Sequence, residues 1–109
     1  MTLLLPKPVR IRSERHLRWI RTLRCSVPGC FRTDIISHHL TIAQPKARGL
    51  KAGDQFAVPL CEGLHHAAEA RCGVHRVGDE RAWWAQWGLD PVKLAELLWD
   101  TGPEKGRAA

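Results

Sequence analysis

The chain has 109 residues and a mass of 12.3 kDa, with 44% hydrophobic and 26% charged residues, enough to bury one core and too short for two. Seventeen Lys and Arg against 11 Asp and Glu leave a net charge of +6 and a pI near 9.7, which favours a polyanionic partner, nucleic acid first, over an acidic or neutral one. No run of about 18 apolar residues is present to span a membrane, and Leu3, Leu4 and Leu5 before Pro6 fall short of a secretory signal, so no membrane partner and a cytoplasmic location are expected.

The charge is unevenly placed. Residues 1–53 carry 11 basic side chains against Glu14 and Asp34, a net +9, whereas residues 54–109 carry 6 basic and 9 acidic, a net −3. The basic half is therefore the expected polyanion face.

Residues 1–12 read as extended, with Pro6 and Pro8 as punctuation. Ser13 then reads as an N-cap with Glu14 in the first turn, opening a helix to about Arg24. Its apolar stripe is Leu17, Ile20 and Leu23 with Trp19 beside them, and its opposite face carries Arg15, Arg18 and Arg21. Cys25 to Cys30 encloses Pro28 and Gly29, the chemistry of a tight turn that brings two thiolates within reach of one ion. Residues 34–42 are rich in β-branched side chains and read as a strand containing His38 and His39.

From Ala43 to Gly53 a polar loop with Pro45, Gly49 and Gly53 carries Lys46, Arg48 and Lys51, expected to touch phosphates together with Arg15, Arg18 and Arg21. A second strand is expected over Gln55–Leu60, ending at Cys61, with Pro59 arguing for an edge or a strand end. The next stretch reads as a helix start with His65 and His66 in its first turns, broken by Gly73 and Gly78 on either side of His75. Asp79 and Asp90 are candidate caps for two further helices, the second with Pro91 at its first position. Trp83, Trp84, Trp87, Leu94, Leu97, Leu98 and Trp99 are expected in the core, and the tail from Thr101 is expected to fray.

Four Cys (25, 30, 61 and 72) and six His, five of them between positions 38 and 75, concentrate metal-ligating residues in the middle of the chain. In a cytosolic protein disulfides are disfavoured, so the cluster points to metal. Buried thiols and ordinary surface histidines are the competing reading, and it leaves two His-His pairs in one short chain unexplained.

The order helix, knuckle, strand with His-His, basic loop, strand ending in Cys and helix with His-His resembles the ββα-metal motif of the HNH (His-Me finger) nucleases. Cys25 and Cys30, then Ser37-His38-His39-Leu40, then Pro59-Leu60-Cys61 and His65-His66 carry the likeness, over about residues 15–100 of a single domain spanning 1–109. More narrowly, these segments with the later His75 and its Val77–Trp84 stretch look like the phage and prophage recombination nucleases of the YbcO and Rap group. The resemblance implies an α+β fold: a small zinc-stabilised ββα-metal core flanked by an N-terminal helix and C-terminal helices. It implies His39 as general base, His38 and His66 as ligands of a divalent catalytic ion (Mg²⁺, Mn²⁺ or Zn²⁺), and Cys25, Cys30, Cys61 and His65 as a structural Zn²⁺ site.

The chain also departs from that pattern. It contains no Asn, so the residue that pins the HNH loop is replaced, with Asp54 the nearest candidate and Gln55 the second. Cys61 and His65 are separated by three residues instead of two, and the third catalytic ligand lies between His75 and Glu69. Cys72 is either a free thiol or a substitute structural ligand.

Two functions follow. One is a metal-dependent HNH-type DNA endonuclease, hydrolysing phosphodiester bonds in phage recombination. The other is a noncatalytic zinc-stabilised DNA-binding module, which has no use for His39. Monomer and homodimer are both compatible with the sequence.

Overall fold

The computed structural model describes residues 10–43 and 52–108. Ser13 lies in extended backbone and its Oγ accepts the His16 amide at 3.2 Å, starting helix α1 (Glu14–Ile20) as the cap chemistry requires. The helix ends about one turn before Arg24. The Thr22 hydroxyl and amide both donate to the Trp19 carbonyl, at 2.6 and 2.9 Å, and the Leu23 amide to Ile20 at 3.1 Å, closing the helix with short-range bonds. The buried face is His16 and Ile20, with Leu17, Trp19 and Leu23 half-buried. His16 packs between Trp19 and Trp99 at ring separations of 5.7 and 4.8 Å, and burial pushes its pKa down, so it serves as a neutral aromatic filler.

Strands β1 (Ile35–His39) and β2 (Ala57–Cys61) pair antiparallel, Ile35 opposite Cys61 and His39 opposite Ala57. The second strand starts later than expected, because Asp54–Phe56 forms a 3-10 turn, and ends at Cys61 as the sequence reading has it. The amides of Leu40 and Glu62 donate to Phe56 and Asp34, which places the even-numbered residues of β1 in the hydrogen-bonded pairs and turns the Pro59 backbone outward. Pro59 thus removes no ladder bond, and its outward carbonyl accepts the Ser26 amide at 2.9 Å and hydroxyl at 2.7 Å, fastening the Cys25–Cys30 knuckle to β2.

After β2 the expected helix is reduced to one π-helical turn, Glu62–His66, closed by the Ala67 amide on the Glu62 carbonyl at 3.2 Å. Extended backbone at Ala67 (ψ 152°) stops it, and residues 67–73 fold back. Gly73 permits this, because a Cβ there would run into the Ala67 carbonyl oxygen. The chain then enters α2 (Val74–Val77), stopped by Gly78 at φ +78°, followed by α3 (Glu80–Ala85) and α4 (Pro91–Thr101). Asp79 and Asp90 cap the last two, accepting the Ala82 and Lys93 amides at 3.1 and 3.2 Å.

Trp83 and Trp84, edge to face at 4.8 Å, fill the core against Leu40, Val58, Leu60 and Ala95, while Trp99 packs on His16. Trp87, Leu94 and Leu98 are half-buried at its border, but Leu97 is 59% exposed, because Ala95 and Trp99 set the buried side of α4. Residues 102–108 are folded, contrary to the expected fraying. Buried Glu104 accepts Arg15 Nε at 2.8 Å and Nη2 at 3.0 Å and the Ser13 hydroxyl at 2.7 Å, and Trp99 Nε1 donates to the Arg107 carbonyl at 2.8 Å. The fold is α+β, a two-stranded sheet with helices, and among the described residues no helix is long and apolar enough to cross a membrane.

Candidate functional site

The knuckle, the end of β2 and the π-helical turn converge on one point. Ligand atoms of Cys25, Cys30, Cys61 and His65 all lie within 4.8 Å of one another, and no disulfide joins the thiols. In a tetrahedron with Zn–S of about 2.3 Å and Zn–N of about 2.0 Å, two sulfurs stand about 3.8 Å apart and a sulfur and a nitrogen about 3.5 Å. Cys30 and Cys61 Sγ stand 3.8 Å apart, and Cys25 Sγ and His65 Nδ1 3.5 Å, with Cys61 Sγ closer to Nδ1 at 3.1 Å. These four residues could therefore hold a metal ion such as zinc. Burial pushes the Cys61 thiol up to about 12 and raises that of Cys25, while burial and nearby Arg32 keep His65 neutral with its lone pair available. A bound cation would reverse the thiol shifts, since thiolate is the ligating form.

His66, the next residue of the same turn, joins a different group. Ligand atoms of His38, His66 and His75 also lie within 4.8 Å of one another, and the Nε2 atoms of His66 and His75 approach to 3.2 Å, close to the ~3.3 Å between two nitrogens on one tetrahedral ion. Carboxylates set the tautomers. His38 Nε2–H donates to Glu80 at 2.6 Å, leaving its lone pair on Nδ1; His66 Nδ1–H donates to Glu62 at 2.9 Å, leaving its lone pair on Nε2. Glu80 is buried and also accepts the Thr41 amide at 2.8 Å, the Thr41 hydroxyl at 2.6 Å and Trp84 Nε1 at 2.9 Å. Burial opposes its ionisation, but these donors, His38 first, hold it down to about 2. Carboxylates thus orient two of the three imidazoles in a group that could hold an ion.

His39 is adjacent to His38 and belongs to neither group. Consecutive strand residues face opposite sides, so His39 meets the 3-10 turn, where its Nε2–H donates to Asp54 Oδ1 at 2.8 Å. That bond places the ring's lone pair on Nδ1. Asp54 is buried and fixed from behind: Oδ2 accepts the Ser13 amide at 2.6 Å, and its own amide donates to the Ile11 carbonyl at 2.7 Å. Gln55 Oε1 takes the Ile11 amide at 3.2 Å, so the loop is pinned to the N-terminal segment by two consecutive side chains. Exposed guanidinium groups flank this face. Arg12 lies 3.5 Å from Asp54, and Arg21 donates to the Ser37 hydroxyl at 3.3 Å and to Glu14 at 3.1 Å.

The third histidine of the second group is His75; Glu69 is exposed and outside it, because the π-helical turn ends before a further helical turn can form. The Cys72 sulfur belongs to neither group, and its backbone is instead tied down by Leu64 and Trp83. Of the six basic side chains assigned to phosphate, Arg15 is committed to Glu104, Arg21 is shared with Glu14 and Arg18 is exposed, while Lys46, Arg48 and Lys51 lie outside the described residues. Glu80 and Glu62 were not anticipated. An acidic residue just after the Asp79 cap reads as ordinary helix-start chemistry, and only the fold brings Glu80 to His38, 42 residues earlier.

Among known proteins, the chain is similar to the uncharacterized protein YdfU of Escherichia coli (strain K12), with 37% identity over 62 residues, 57% of this chain and 17% of that protein. It therefore spans about a sixth of the length of that relative. No solved structure matches it. The profile of DUF968, a family of proteins of unknown function, matches residues 1–104, and the chain belongs to that family.

Proposed function

We propose that this chain is a metal-dependent DNA endonuclease of the HNH type, hydrolysing phosphodiester bonds. The observation that carries the reading is the pair of adjacent histidines on β1. His38 joins a three-histidine group that could hold an ion, while His39 is kept out of it with Nε2–H locked on Asp54 and a lone pair on Nδ1. A divalent ion at the three histidines would supply the positive charge that a scissile phosphate needs.

His39 Nδ1 would take the proton from the attacking water, a role suited to a neutral imidazole near pH 7. Asp54 acts by orienting that ring and holding its proton on Nε2. Glu80 does for His38 what Asp54 does for His39, and the two carboxylates set the neighbouring rings to different tasks. With an ion bound, the Cys25, Cys30, Cys61 and His65 group would hold the knuckle, β2 and the π-helical turn together, and through His65 it would fix the turn that presents His66. Arg12, Arg18 and Arg21 would draw DNA to the His39 face, in keeping with the +9 of the N-terminal half.

The test is nicking of supercoiled plasmid with Mg²⁺, Mn²⁺ or Zn²⁺ supplied in turn, the expected result being open-circular product that disappears in His39→Ala. Plasmid bound without cleavage under all three ions would instead favour a noncatalytic zinc-stabilised DNA-binding module, which accounts for the Cys₃His group but leaves the His39–Asp54 pair without a task.

A further inference from the structure

Between the end of α1 and the start of β1 lies a groove of about 360 Å³, lined by Arg21, Leu23, Arg24, Phe31, Arg32 and Ile35. Phe31 is 71% exposed, an apolar ring that the fold leaves in water although it directly follows Cys30 of the Cys₃His group. Its neighbours are arranged. The Arg24 guanidinium lies over the ring, 4.9 Å from its centroid, and Arg32 is held in a two-point pair with Asp34 at 3.0 and 2.9 Å. The positive charges of Arg21, Arg24 and Arg32 exceed the negative charges of Glu14 and Asp34 that pair with them, and Arg24 is engaged with a ring instead of a carboxylate.

We infer that this groove seats an unpaired nucleobase on Phe31, with its phosphate drawn by Arg24. The inference rests on the DNA reading above and deepens it by naming the substrate class: DNA with a single-stranded stretch beside the cleavage face. An aromatic ring backed by a guanidinium offers a stacking surface to any base, and only an unpaired base has a face free to use it, since the bases of a duplex cover one another. The groove also leads to the site. Arg21, on its wall, donates to the Ser37 hydroxyl, and Ser37 shares its side of β1 with His39 two residues on. A strand stacked at Phe31 would thus have its backbone pass Arg21 toward His39.

The test uses the full chain carrying His39→Ala, so that binding is read without cleavage, and measures fluorescence anisotropy with a labelled oligothymidylate and with a blunt duplex of equal length. Phe31→Ala is expected to weaken binding of the single strand about tenfold and of the duplex by less than about twofold, and Phe31→Trp to restore it, as a stacking contact predicts. Arg24→Ala should flatten the salt dependence for the single strand by roughly 0.7 in log–log slope, the value of one phosphate contact. Unchanged single-strand affinity in Phe31→Ala, or an equal loss on both probes with a lowered melting temperature, overturns the inference. So does selective loss of an acidic peptide, which would make the groove a protein-docking site. Plasmid nicking by the chain that keeps His39 is scored separately. Nicking without a Phe31 effect overturns the groove assignment alone, and a Phe31 effect without nicking overturns the endonuclease reading alone.

Discussion

Asp54→Asn isolates the orientation of His39 from everything else at the site. The two side chains are nearly the same size, but the carboxylate accepts at both oxygens, from the Ser13 amide at 2.6 Å and His39 Nε2–H at 2.8 Å, whereas an amide accepts at one end and donates at the other. Turned with its NH₂ toward Ser13, the Asn would leave a buried backbone N–H facing a donor, at a cost of about 1–3 kcal/mol, or roughly 5- to 150-fold in population. The favoured orientation keeps the oxygen on Ser13 and points NH₂ at His39. The imidazole must then accept at Nε2 and carry its proton on Nδ1, so the lone pair that would take the proton is gone. The lost Arg12 contact at 3.5 Å adds little, because Arg12 is exposed. Cleavage should fall by a factor on the order of 10²–10⁴, the contribution of a positioned base, with metal content and duplex affinity near wild type. Nitrogen-15 NMR of the imidazoles gives a readout independent of turnover: the His39 proton should move from Nε2 to Nδ1. Wild-type cleavage by Asp54→Asn, or a cleavage loss with the proton still on Nε2, would refute the orientation argument.

Four further outcomes follow from the geometry. Purified protein should carry about one tightly held zinc, and Cys30→Ser should lower stability by several kcal/mol by opening the site; elemental analysis and a urea titration check both, and zinc-free folded protein contradicts the site. His66→Ala should lower cleavage at limiting divalent ion and recover part of it at excess, whereas His39→Ala recovers nothing; a titration of rate against ion concentration separates them. Glu80→Gln should weaken the response to the divalent ion roughly 10- to 100-fold, the usual loss when an outer carboxylate is changed, and an unaltered titration would count against its role. Glu104 is held down to about 2, chiefly by Arg15, so its contribution is fully present above the ordinary carboxylate pKa of 4.5 and lost as pH falls toward 2. The gap in urea midpoint between wild type and Glu104→Gln should therefore narrow between pH 7 and pH 3; a constant gap would show that the carboxylate's charge is not what ties the C-terminal segment to α1.

The parts of the fold legible in the sequence are those decided within a few residues. Ser13, Asp79 and Asp90 cap helices because the bond from each side chain to an amide three residues on is local, and Pro91 follows its cap for the same reason. The strands were legible from β-branched runs, and the two ligand groups from the density of Cys and His, because ligating chemistry is confined to few residue types. The misread parts depend on contacts distant in sequence. Gly73 marked a break after His66, but not that the helix stops earlier, after one turn, where Ala67 is extended and the chain folds back until Gly73 meets the Ala67 carbonyl. The tail from Thr101 looks polar and free until Arg15, 89 residues earlier, meets Glu104. His16 breaks the apolar pattern of α1 yet is fully buried, because Trp19 and Trp99 surround it with rings.

The absent Asn is the most instructive case, because the sequence marked a vacancy and offered Asp54 to fill it without saying what the change of chemistry does. An amide in that place could satisfy the Ser13 amide and leave Nε2 of the neighbouring ring as the acceptor, with the proton on Nδ1. A carboxylate cannot: it accepts from Ser13 and demands a proton from His39 as well, so one side chain both anchors the N-terminal segment and fixes which nitrogen of His39 keeps its lone pair. Glu80 imposes the same demand on His38 from the opposite side of the strand. Two adjacent imidazoles of identical chemistry are thereby differentiated by their carboxylates and by the pleat of β1, one turned to a group that could bind an ion and the other to a face bordered by Arg12 and Arg21.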